Sequence, residues 1–111
     1  MTLNYNCWGK EFHLALREDR YSSNGSLYLG LVDVDDMEPF ADLTVNLADG
    51  MATESCQYVD TNNLAGIQEL IEENNLGMLI GYGHSGFCTY PLYVFDKEEY
   101  SKYLLGGQHN D

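Results

Sequence analysis

Between residues 10 and 47, apolar side chains recur at every second position, and that period admits one kind of local structure. Phe12, Leu14 and Leu16 alternate with His13, Ala15 and Arg17; Leu27, Leu29 and Leu31 alternate with Tyr28, Gly30 and Val32; Leu43, Val45 and Leu47 oppose Asp42, Thr44 and Asn46. Successive residues of a strand point to opposite faces, so each run predicts a strand with one greasy and one wet face. Strands are expected over 10–17, from residue 27, and over 40–47. The tract Ser22-Ser23-Asn24-Gly25-Ser26 predicts a hairpin, because Asn and Gly both tolerate positive φ. An acidic turn, Asp33 to Glu38 followed by Pro39, joins the next pair. Trp8-Gly9 would fold a short first strand, 2–7, onto this meander.

The second half changes period. Asp60, Thr61 and Asn62 are N-cap residue types, and Leu64, Ile67 and Ile71 follow at helical spacing. Asn75 or Gly77 supplies the left-handed residue that ends such a helix. Residues 87–95 read as a strand whose Pro91 favours an edge or a bulge, since proline lacks the ladder donor. Asp96-Lys97-Glu98-Glu99 resembles a capping box, opening a short helix as far as Leu105. The expectation is a single α+β domain over 1–111: one antiparallel sheet of four to six strands, a main helix near 62–75, a short C-terminal helix near 96–105, and frayed residues at 107–111. Its core is expected at Phe12, Leu14, Leu16, Leu27, Leu29, Leu31, Leu43, Val45, Leu47, Leu64, Ile67 and Ile71.

Composition supports one modest core and excludes several classes. The chain has 111 residues, 44% of them apolar and nine of them tyrosines, too rich for a disordered tail. No stretch approaches the ~20 apolar residues of a spanning helix, and the start lacks a signal peptide's basic flank and apolar run. Three cysteines, Cys7, Cys56 and Cys88, are an odd and sparse set, expected as free thiols in a reducing cytoplasm.

The charge is lopsided. Eighteen Asp and Glu oppose five Lys and Arg, a net −13, and no Lys or Arg stands between Arg20 and Lys97. Direct nucleic-acid binding needs a basic footprint and is disfavoured, as are anionic membranes. A basic protein surface is the partner such a field attracts, with fast, salt-sensitive association. Solubility alone is the competing explanation.

Several motifs resemble sites without meeting their mechanisms. Gly81-Tyr82-Gly83-His84-Ser85-Gly86 spells G-x-G-x-x-G, but a β-like run follows where a dinucleotide fingerprint requires a helix N-terminus. The tract is expected to be a flexible glycine loop. His84, Ser85 and Cys88 lack the orienting group and electropositive setting that an activated nucleophile needs, so no catalytic residue is assigned. Asp33-Val34-Asp35-Asp36-Met37-Glu38 fails the calcium-loop pattern at Met37 and at Glu38, where glycine belongs. The cysteines show no paired zinc-ligand spacing, so no metal or cofactor is expected. The acidic helix is harder to dismiss. Glu69 faces Glu72 and Glu73 at i+3 and i+4 with no base to offset them, at about 0.2–0.5 kcal/mol per pair.

The blocks Asn24-Gly25-Ser26-Leu27-Tyr28-Leu29-Gly30-Leu31, Pro39–Leu47, Val59–Asn63 and Ser85–Tyr93 resemble an uncharacterised family of small acidic proteins carried by conjugative transposons, plasmids and other mobile elements of gut bacteria. The resemblance spans about residues 24–96. It implies a genomic setting rich in proteins that blunt host defence, including anti-CRISPR and antirestriction proteins, and carries no catalytic residues. The expected function is a non-enzymatic inhibitor that binds a basic nucleic-acid-binding surface of a host defence nuclease. Asp33, Asp35, Asp36, Glu38, Glu69, Glu72 and Glu73 would stand in for phosphates. The alternatives are an accessory interaction module of the element with no defence role, and, further off, a small-ligand protein or enzyme.

Overall fold

A computed structural model describes residues 1–48 and 50–105; the expectation for 107–111 lies outside them. The alternating first half forms β1 (Leu3–Cys7), β2 (Lys10–Arg20), β3 (Leu27–Asp33) and β4 (Glu38–Asp42), an antiparallel sheet in sequence order. A second sheet, β5 (Thr44–Val45), β6 (Cys56–Val59), β7 (Gly77–Ser85) and β8 (Cys88–Phe95), has the order β5-β6-β8-β7 and is antiparallel throughout. The helical pieces are α1 (Ile67–Glu73), α2 (Lys97–Tyr100) and a 3₁₀ turn at Ser101–Tyr103. The single sheet with a main helix is therefore corrected: the protein is mostly β, with two four-stranded sheets and two short helices.

Three local causes account for the difference. The expected strand over 40–47 breaks at Leu43, whose N–H donates to Leu29 O while its own carbonyl accepts from Asp60 N–H. Thr44 Oγ1 accepts from Leu29 N–H, so the chain bends and enters the second sheet while still bonded to the first. The helix expected over 62–75 begins only after Gly66, which sits at φ 74; Asp60 spends its side chain on a turn with Asn63 instead of capping it. The helix ends as expected at a left-handed Asn75 (φ 57), with Leu76 N–H bonding Ile71 O and Asn75 N–H bonding Glu72 O in a Schellman arrangement. Finally, the supposed glycine loop is the outer half of β7. Its glycines admit close neighbours: a Cβ on Gly83 would lie 2.5 Å from the Tyr58 ring.

The main core lies between the two sheets and α1. Leu14, Leu16, Leu27, Leu29 and Leu31 meet Leu43, Val59, Ile67, Ile71, Tyr93 and Phe95 there. Of the expected core, Phe12 and Val45 are only partly buried; the others are buried. Gln57 joins the sheets polarly, donating to Ser26 Oγ and Leu27 O while its Oε1 accepts from Tyr58 N–H. A smaller cluster, Leu47, Tyr58 and Leu92, packs separately. Pro91 lies one residue beyond the last β6–β8 pair, Tyr58↔Leu92, so its missing donor interrupts no ladder on that side.

Candidate functional site

The seven carboxylates singled out by the sequence fall into two groups. Asp33, Asp35, Asp36 and Glu38 occupy the tip of the β3–β4 hairpin, where Met37 takes φ 57 to close the turn. Asp33 Oδ1 accepts from Asp35 N–H at 3.0 Å, and Asp35 Oδ2 lies 3.1 Å from His13 Nδ1. Asp36 and Glu38 are exposed and make no side-chain hydrogen bond among the described residues. Glu69, Glu72 and Glu73 project from α1, which packs against β1 and β7. Glu69 and Glu73 border a shallow depression with Asn4, Asn6 and Gly66.

Glu72 is different from its neighbours. Its Oε2 accepts from Tyr93 Oη at 2.7 Å, and Gln68 Nε2 donates to the same hydroxyl. Burial, reinforced by the Glu72 charge and bond, pushes the Tyr93 phenol up to about 12. Glu72 is thus half a surface charge and half a clasp between α1 and β8.

The cations are engaged elsewhere. Glu18 gathers Lys97 at 3.2 Å and Arg20 at 3.9 Å, and accepts from Tyr100 Oη at 2.7 Å. Burial opposes ionisation of Glu18, but these partners outweigh it and hold the carboxyl below the usual range. Lys102 pairs with Glu99, while Lys10 and Arg17 lie over the rings of Phe12 and Tyr28. Among the described residues, only Asp35 of the seven carboxylates has a basic side chain within ion-pair distance. The Glu18 cluster ties α2 to β2 across a separation no spacing rule reaches, and sequence reasoning missed it.

The remaining candidates rearrange. His84 Nδ1 meets Thr89 Oγ1 across the β7–β8 ladder at 3.0 Å, and Ser85 pairs with Cys88 about the turn at Gly86 and Phe87. Among the described residues no hydrogen bond links His84 to Ser85 or Cys88, and no three His, Cys, Asp or Glu side chains converge with metal-binding geometry. No described helix is long and apolar enough to cross a membrane. Cys7, Cys56 and Cys88 are free thiols.

Sequence reasoning also missed the most exposed apolar surface. From Asn74 to Phe95 there is no Asp, Glu, Lys or Arg. That tract is the β7–β8 hairpin, and it exposes Met78, Leu79, Ile80, Tyr82 and Phe87. The absence of charge over so long a run was the available signal. A third exposed aromatic, Trp8, sits at φ 55 beside Gly9 at φ 73 in the β1–β2 turn, rare backbone for a bulky side chain. It adjoins a cavity of about 250 Å³ lined by Tyr5, Phe40 and Leu64.

No curated protein and no solved structure matches the chain. Over residues 15–109 it matches the profile of the domain of unknown function DUF4313, and so it belongs to that family.

Proposed function

We propose that the protein is a non-enzymatic binding domain that engages a basic protein surface through the carboxylates of the β3–β4 tip and α1. One observation carries the reading: the described cations are held by Glu18, Glu99 and aromatic rings, leaving six of the seven carboxylates without a basic neighbour. Unneutralised carboxylates are complementary to a surface built to hold phosphates, where charge supplies much of the affinity. In its finer form the partner is a nucleic-acid-binding nuclease of host defence, met in the cytoplasm by a protein carried on a mobile element of gut bacteria. The acids then compete with nucleic acid for one surface.

A second reading, an accessory interaction module with no defence role, is favoured by the uncharged β7–β8 hairpin, whose exposed Ile80, Tyr82 and Phe87 suit an apolar contact. Capture from host lysate at low and high salt separates the two. The charge reading expects a nuclease that is lost at high salt, and lost at low salt from a variant carrying Asp36→Lys, Glu38→Lys, Glu69→Lys and Glu73→Lys. A partner retained through both changes overturns it.

A further inference from the structure

Strand β7 is the long unguarded edge of the second sheet. Its backbone pairs with β8 alone among the described residues, so its other side presents free N–H and C=O groups. Natural proteins protect such edges with charge, proline, short length or bulges. The other edges are shorter: β4 has five residues, among them Glu38, Pro39 and Asp42, β5 has two and β1 has five. β7 has nine residues, no charged side chain and no proline; its one device is a bulge at Ile80, which leaves Gly81–Ser85 in regular register.

We infer that β7 pairs antiparallel with β7 of a second copy, joining two sheets of four strands into one of eight about a twofold axis. Charge chooses that occupant. Two copies that each carry −13 repel wherever their acidic surfaces meet, and the Asn74–Phe95 hairpin is the longest tract that brings no charge to the contact. A basic partner gains nothing from an uncharged strand, whereas an identical one matches it in backbone pattern and in apolar side chains. The area suffices. Five of the nine large apolar side chains that the described residues expose lie within 78–87, with Phe87 fully exposed and Met78 and Tyr82 more than half so. At ~150–250 Å² per large side chain they amount to roughly 600 Å² per copy. A twofold contact covering most of both patches removes on the order of 1,000 Å², the size at which specific interfaces begin. Strand addition covers side chains on both faces of the edge, so Met78 and Tyr82 contribute together.

Sedimentation of the full chain over a range of concentrations tests this, alongside Ile80→Lys and Tyr82→Glu variants. Both side chains are more than half exposed, and far-UV circular dichroism and Tm verify that each variant folds. The expected result is a concentration-dependent dimer, a dissociation constant raised at least about tenfold by either variant, and hydrogen exchange at Gly81–Ser85 that slows as concentration rises. Opposite-signed substitutions keep the readout independent of net charge. A monomer up to about 300 µM overturns the inference, including where β7 accepts only a foreign strand. So does a dimer that neither variant weakens.

Discussion

The β3–β4 and β7–β8 hairpins are both antiparallel and both end a four-stranded sheet, yet they are guarded in opposite ways. The first carries Asp33, Asp35, Asp36 and Glu38 at its tip and sets Glu38, Pro39 and Asp42 along a five-residue edge strand. The second has no charged residue and lays nine residues along its edge. Acidity that served solubility alone has no reason to skip the longest edge in the chain. Under the function and the dimer proposed above, the two hairpins have different tasks, a charged surface for long-range attraction and a neutral one for close contact. Each hairpin should therefore respond to substitution in its own way.

The largest difference concerns burial. Leu29, in β3, is fully buried among the main core, so Leu29→Ala is expected to cost about 2–5 kcal/mol by denaturant unfolding. Ile80→Ala, on β7, is expected to stay within about 0.5 kcal/mol at concentrations where the chain is monomeric, because half of that side chain then faces solvent. Equal costs would show that β7 is covered in the folded monomer and would remove the basis for the contrast.

Glycines give the next step. A Cβ on Gly83 meets the ring of Tyr58 at 2.5 Å and Leu47 at 2.8 Å; Tyr58 is buried, and its hydroxyl accepts from Met51 N–H. Gly83→Ala therefore forces a fixed ring aside, at about 1–3 kcal/mol. A Cβ on Gly30 meets instead the hydroxyl end of Tyr28, which bonds Asp42 near the surface and can swing outward. Gly30→Ala is expected to cost about 1 kcal/mol or less, the value of that hydrogen bond. Thermal unfolding of the pair distinguishes the two sites.

Alkaline titration compares a tyrosine from each hairpin. Burial and the Asp42 bond raise Tyr28, against a smaller opposing pull from Arg17, while burial and Glu72 push Tyr93 up to about 12. Both phenols are neutral in the fold and ionise more readily once unfolded. Their contribution is therefore complete below pH 10 and lost as pH rises, for Tyr93 over the interval from 10 to about 12. Tyr93→Phe should remove a late step, near pH 12, from the phenolate absorbance titration, ahead of the still later Tyr100, and Tyr28→Phe an earlier one. Loss of the late step in the Tyr28 variant would reverse the assignment.

The same two hairpins show what a sequence exposes and what it hides. Alternating leucines in β2 and β3 specify strands because a half-wet sheet must alternate, and Asn24-Gly25 marks the turn between them. In β8, by contrast, Tyr93 and Phe95 enter the main core while Leu92 joins the smaller cluster, so apolar residues occupy both faces and no alternation survives. The outer half of β7 reads as a loop because Gly81 and Gly83 carry no pattern; Gly83 leaves room for Tyr58, as Gly77 does for Phe95, and only the tertiary fold reveals it. The start of the helix is hidden in the sequence for a related reason. Leu64 is buried as a helical residue would be, but from a turn held by Asp60. The candidate carboxylates are exposed, as acids of a turn and a helix face should be, except Asp33, which is half-buried at the end of β3. The bond from Tyr93 to Glu72 spans two elements and was not legible in the sequence.

The smallest effect on stability is expected from the charged tip itself. Asp36 and Glu38 are exposed and bond nothing among the described residues, so Asp36→Lys with Glu38→Lys removes no contact of the fold. Each reversal replaces repulsion from Asp33 and Asp35 with attraction, a gain of a few tenths of a kcal/mol that fades once salt shortens the screening length to about 10 Å at 0.1 M. Lysine guards an edge strand as well as glutamate does, so β4 keeps its protection. Tm should therefore move by less than about 4 °C, upward at low salt and hardly at all at high salt. Glu72→Lys serves as the contrasting case, since it breaks the bond to Tyr93 and should lower Tm at every salt concentration. A salt-independent drop of similar size from the Asp36 and Glu38 pair would mean that those carboxylates belong to the fold. The charged hairpin would then lose its separate task, and the difference between the two edges would reduce to packing.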